Sequence, residues 1–160
     1  GGDFTYECWV DLSAAAGGYI FTEGKDTSNY AGVNIFAVSG ATARLGFVCR
    51  NLIGNISSSG SAYFDTTIPR YVVFRGTRSS NTVEIIIDVG RVIGVSLTSY
   101  PTGSYSNTGI ALGALWRGSA AAYSKIGISH FASYNVALTN DQLLQHYTAG
   151  VAARMAFYNF

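Results

Sequence analysis

The sequence is poor in the residues that carry most enzyme and nucleic-acid chemistry. It has two His, two Cys, one Met and two Pro in 160 residues, and only 12% of them are charged, about half the roughly 25% typical of folded domains. The net charge of +1 gives no field to steer nucleic acid or an acidic membrane, and the arginines, from Arg44 to Arg117, are scattered. No apolar run approaches the roughly 20 residues needed to span a bilayer, and no basic-then-apolar leader opens the chain. The expectation is a soluble piece that neither binds nucleic acid nor inserts into a membrane. It begins at Gly1 without Met and enters a strand by Phe4, which suggests a processed chain or one excised from a longer polypeptide; membership of a longer chain or of a homo-oligomer is expected.

What covers the surface instead is uncharged. Ser, Thr and Asn number 39, joined by 19 Gly and 11 Tyr, a composition suited to tight turns and pleated strands. Phe4, Tyr6, Cys8 and Val10 alternate with Thr5, Glu7, Trp9 and Asp11, the period-2 pattern of a strand with one face on a core. Further strand-like runs follow at Gly18 to Thr22, Tyr30 to Val38, Ala43 to Arg50, Arg70 to Arg75, Thr82 to Asp88, Val92 to Thr98, Ile110 to Leu115 and Ile126 to Ser133. Ser39-Gly40, Ser79-Ser80-Asn81, Val89-Gly90 and Thr102-Gly103 punctuate them. Short, regularly spaced strands with such turns predict an all-β sandwich or barrel.

One segment reads as a helix, Asn140 to Ala149. Thr139 and Gln142 have capping-box spacing, Gly150 supplies the stop, and Leu143, Leu144 and Tyr147 share the buried face. The expected layout is a sandwich over residues 1–150 and an apolar tail over 151–160, too apolar for a solvated terminus and so docked or interfacial.

These residues carry a family resemblance. Phe4-Thr5-Tyr6-Glu7-Cys8-Trp9-Val10 resembles the opening strand of laminin-G-like domains. Arg70 to Gly76 followed by Thr82 to Gly90 is similar to their paired central strands. Ser133-Tyr134-Asn135-Val136-Ala137-Leu138-Thr139 with Gln145-His146-Tyr147-Thr148-Ala149-Gly150 resembles their closing strand, turn and helix. The resemblance implies a two-sheet antiparallel β-sandwich of the concanavalin A-like superfamily, a jelly roll of laminin-G-like or pentraxin-like type with one short C-terminal helix. Such a fold does not fix function, because its members include lectins, adhesion modules, glycan hydrolases and domains of virus particles.

Hydrolysis needs two carboxylates flanking one glycosidic bond, roughly 5.5 Å apart for retention or 6.5–9.5 Å for inversion. Glu7 with Asp11, and Glu84 with Asp88, lie four residues apart on their strands, about 13 Å at ~3.3 Å per residue. The expected role of these acids is solvated or paired with arginine. No nucleophile elbow accompanies His130 or His146. Both read as structural, His130 at a bulge because Phe131 breaks the alternation of Ile126 and Ile128. Cys8 and Cys49 point toward apolar surroundings, as two buried thiols or as a pair if their strands adjoin. Asp26 and Asn29 supply too few oxygens for the calcium that related domains often bind. No metal or other cofactor is expected. Asn55-Ile56-Ser57 is a glycosylation triplet that matters only in a eukaryotic secretory setting.

Sugar recognition needs aromatic platforms with polar edges. The candidates are Trp9, on the face shared with Thr5 and Glu7, and a loop cluster of Tyr100, Tyr105, Asn107, Trp116 and Arg117. The leading expectation is a non-catalytic module that binds a glycan or cell-surface polymer, for recognition or adhesion, at an extracellular or virion surface. The alternative is a structural domain of a virus particle, such as a phage head decoration, fibre or tail protein, packed against neighbouring subunits. A glycan hydrolase comes last.

Overall fold

A computed structural model of the chain describes residues 2–15, 17–26, 29–51, 54–59, 64–96, 109–116 and 120–158. Strands β1 (Phe4–Asp11), β7 (Arg70–Thr77), β8 (Thr82–Ile87), β9 (Arg91–Ser96) and β13 (Gly127–Tyr134) form one antiparallel sheet in the order β13-β1-β7-β8-β9. Strands β2 (Gly18–Asp26), β3 (Asn29–Ser39), β4 (Thr42–Asn51), β5 (Gly54–Ser59) and β10 (Gly109–Leu112) form the second, ordered β10-β2-β3-β4-β5, with β6 (Phe64–Asp65) also on β4. A small ribbon of β11 (Leu115–Trp116) and β12 (Ala120–Ala121) and one helix, α1 (Asn140–Tyr158), complete it.

The alternation read from the sequence places the main core between the sheets. Tyr6, Cys8 and Val10 of β1, Val72 and Phe74 of β7 and Ile85 of β8 meet Phe21, Val33, Leu45 and Phe47 of the opposite sheet. Phe74 anchors this layer, within 5.1–6.5 Å of the rings of Phe4, Tyr6, Phe21 and Phe47. Burial of each such side chain contributes roughly 1.5–3 kcal/mol.

The first sheet is also covered on its outer face, which sets the site. Trp9, Tyr71, Val73 and Ile86 point away from the main core and pack on Leu138 and on Leu143 of α1, with Tyr147 and Val151 beside them. Thr5, fully buried, pins the strand-to-helix connection: its hydroxyl donates to the Val136 carbonyl at 2.8 Å and accepts from the Leu138 amide at 2.9 Å. Arg75 holds Glu84 at 2.6 Å and donates to the Leu138 carbonyl at 2.6 Å.

The capping box forms as expected, the Thr139 amide reaching Gln142 Oε1 at 2.8 Å and the Gln142 amide reaching Thr139 Oγ1 at 3.3 Å. The expected stop at Gly150 does not: α1 runs 19 residues, through Gly150 to Tyr158, so residues 151–158 extend the helix rather than leave it. Gly150 is a point of close approach. A Cβ there would sit 2.8 and 2.9 Å from Trp9 Cε2 and Cζ2, nearer than any real contact. Leu144 turns outward, 52% exposed, because the buried stripe runs Leu143, Tyr147, Val151 at i, i+4 and i+8. Polar β5, Gly54–Ser59, gave no period-2 signal and went unread. Cys8 is a free, buried thiol.

A buried carboxylate beneath the helix and a cleft beside it

Glu7 shares its strand face with Thr5 and Trp9, and α1 closes over that face. The residue is 6% exposed and its carboxylate is held from three directions. The Tyr71 hydroxyl donates to Oε2 at 2.6 Å, the Tyr134 hydroxyl to Oε1 at 3.0 Å, and His146 Nδ1 lies 3.0 Å from both oxygens. A carboxylate only accepts hydrogen bonds, so a neutral His146 facing it carries its proton on Nδ1. The arrangement draws on β1, β7, the end of β13 and α1. Without such partners a buried carboxylate would cost several kcal/mol. The expectation that this acid is solvated or paired with arginine is thus corrected. It does describe Glu84, held by Arg75, and Asp88, which takes Arg70 Nη1 at 2.8 Å.

Burial together with the bonds to Glu7 pushes the Tyr71 and Tyr134 phenols up, and burial pushes the Cys8 thiol up to about 12. Raised acids stabilise the fold fully below their ordinary values of 10.0 and 9.0, and that stability is lost as pH rises toward the folded values. Thermal melts should therefore show a falling midpoint from about pH 9 upward, with a shallower slope in Tyr71→Phe. A flat midpoint to pH 11 would contradict this placement.

Beside the carboxylate opens a cleft of about 310 Å³ lined by Glu7, Trp9, Tyr71, His130, Tyr134, His146 and the small helix residues Ala149, Gly150 and Ala153. His130 reaches it through the bulge that the broken alternation suggested. Between the pairs Glu7↔Ala132 and Trp9↔Ser129 strand β13 carries one residue more than β1, and His130 adopts φ +53°. A non-glycine residue held there stores roughly 1–3 kcal/mol of strain, and the bulge re-aims its side chain.

Of the residues expected to bind sugar, Trp9 is 6% exposed, because the second face of β1 is covered. Tyr147 stacks on it at 5.5 Å and the Arg154 guanidinium lies 4.7 Å from the ring centroid. Trp9 still lines the cleft. Trp116 does not line this cleft; it stands in the ribbon of β11 and β12, paired with Ala120. It lies against Gly109, where a Cβ would meet Cε2 at 2.6 Å. Its amide donates to Thr22 Oγ1 at 2.6 Å, and its buried Nε1 has no partner among the described residues. Tyr100, Tyr105, Asn107 and Arg117 lie outside the described residues. Asp26 and Asn29 form the end pair of β2 and β3; among the described residues no group of three or more His, Cys, Asp or Glu could hold a metal, and no helix is long and apolar enough to cross a membrane.

Sequence reasoning put Glu7 and Trp9 on one face but missed their partners Tyr71 and Tyr134. The usable signal was that a strand apolar on one face carried Thr, Glu and Trp on the other, which a helix bearing His146 had to cover.

No family model and no curated protein matches the sequence. Solved structures do match the fold. The CBM40 module of the Ruminococcus gnavus IT-sialidase superposes with a TM-score of 0.75 at 14% identity, over 91% of this chain and 83% of that one; the same module has been solved bound to alpha2,3 sialyllactose. The NanB sialidase from Streptococcus pneumoniae gives 0.75 at 15% identity over 90% of this chain and 24% of that one. The SAP-like pentraxin from Limulus polyphemus gives 0.67 at 15% identity over 89% and 68%. Together with the two antiparallel sheets and the C-terminal helix, these likenesses show the fold, a two-sheet antiparallel jelly-roll sandwich like that of these modules.

Proposed function

We propose that this chain is a non-catalytic carbohydrate-recognition module working at an extracellular surface. The observation that carries the reading is the likeness over nine-tenths of the chain to a sialidase carbohydrate-binding module, 91% covered at a TM-score of 0.75. The site supports the non-catalytic half: Glu7 is the single carboxylate among the described residues lining the cleft, and its cross-strand neighbours are Val73 and Ala132. A hydrolytic pair has no second member there. The glycan contacts are assigned to Trp116, in the ribbon of β11 and β12, and to Arg117, Tyr100, Tyr105 and Asn107.

A glycan array of the wild-type chain tests this, with Trp116→Ala beside it. Binding should weaken about tenfold, the ~1.4 kcal/mol that losing one ring platform costs, at unchanged circular dichroism. No binding to any glycan at millimolar levels would overturn the reading.

The particle-building reading draws on a different observation. Leu144 and Met155, 52% and 62% exposed, are eleven residues apart on α1 and so share its outer face. Concentration-dependent oligomers that Leu144→Ser dissolves would favour that role.

A further inference from the structure

We infer that the cleft beneath α1 is a second ligand site, separate from the ribbon end, and that it takes a small cationic amine borne on a sugar, a non-acetylated amino sugar, while rejecting carboxylated sugars. The inference follows from where the protons are. The Tyr71 and Tyr134 hydroxyls both spend their hydrogens on Glu7, and His146 turns Nδ1 to the same carboxylate. What the carboxylate and the two phenols can still offer a ligand is therefore acceptor capacity: the remaining lone pairs on Glu7 and on the phenol oxygens. This acceptor cluster pairs with donors, and an ammonium brings three together with charge complementary to Glu7.

The remaining lining agrees. Tyr134, His130, His146 and Trp9 line the cleft, and aromatic π faces attract a cation and pack against the C–H face of a sugar. Among the described residues no arginine or lysine lines the cleft, and Arg154 is turned onto Trp9, so no described guanidinium or ammonium offsets a ligand carboxylate brought beside Glu7. At about 310 Å³ the space sits at the lower end of the roughly 300–1,000 Å³ of small-molecule sites, fit for one sugar ring. The strained His130 on its bulge is the kind of outlier that marks a ligand clamp. The ammonium preference rests on the cleft alone; the choice of a sugar as its carrier rests on the carbohydrate reading above.

The test is amide chemical-shift titration of the intact chain with glucosamine, N-acetylglucosamine and N-acetylneuraminic acid. Glucosamine should move the resonances of His130, Tyr134, Ala149 and Ala153 saturably, at least tenfold more tightly than N-acetylglucosamine, and N-acetylneuraminic acid should leave them still. Ala153→Leu, on an exposed helix position, should fill the cleft and abolish the glucosamine shifts while Trp116→Ala keeps them. Glucosamine that leaves these residues unmoved, N-acetylneuraminic acid that moves them equally, or binding that survives Ala153→Leu would each overturn the inference. A glycan array that fails while glucosamine still titrates would sink the ribbon-end reading and leave this site standing.

Discussion

Glu7→Gln should lower the stability of the domain by about 3 kcal/mol, although it removes no heavy atom and only exchanges an oxygen for an amide nitrogen. The carboxylate accepts from Tyr71, Tyr134 and His146 through two oxygens. A glutamine offers one acceptor oxygen and puts an NH₂ against groups that are themselves donors, so at least one buried phenol or imidazole loses its partner. Hydrogen bonds to a charged group contribute about 1.5–3 kcal/mol each, and an orphaned buried donor costs about 1–3. For a chain of this size that corresponds to a midpoint about 6–12 °C lower, at about 2–4 °C per kcal/mol. Because the cluster acts as a unit, Glu7→Gln combined with Tyr71→Phe should cost less than the two singly. Hydrogen exchange in α1 should rise before exchange in β7 and β8, since Glu7 ties the helix to the sheet. An unchanged midpoint would mean that packing alone holds the helix.

Gly150→Ala makes the second large effect, with a sign opposite to the local rule. In an ordinary helix interior the change gains about 1 kcal/mol. Here the added methyl would meet the Trp9 indole, 2.8 and 2.9 Å from Cε2 and Cζ2, and both faces of that ring are already packed. Tyr71 and Tyr147 lie 5.6 and 5.5 Å from its ring, and Arg154 covers it too. Overpacking of this kind costs about 1–3 kcal/mol. A net loss of about 2 kcal/mol, with a shift in tryptophan fluorescence, is the expected result in denaturant titrations. A stabilised variant would show that the helix slides freely over Trp9.

Much of the fold was legible because its determinants are local. Alternation in β1, the Ser39-Gly40 turn and the Thr139/Gln142 cap each report on a few consecutive residues, and the structure forms all three. Where reading failed, the deciding partner was remote. Gly150 looks like a helix stop until Trp9, 141 residues earlier, is seen to require its missing side chain. Glu7 looks solvated until the helix is placed over it, and Trp9 looks like an open platform for the same reason. His130 was legible as a bulge from Phe131 out of phase, but not as a cleft residue, because that depends on α1 standing opposite. The Glu7 cluster joins positions 7, 71, 134 and 146, a combination that no window of the sequence contains.

The most direct test of the central claim, recognition without catalysis, is calorimetric titration of the purified chain with its best array glycan, followed by recovery of that glycan for mass analysis. The account expects saturable binding that Trp116→Ala weakens and a glycan recovered intact after prolonged incubation. Cleavage of the glycan that Glu7→Gln abolishes, in a variant that still folds, would contradict it.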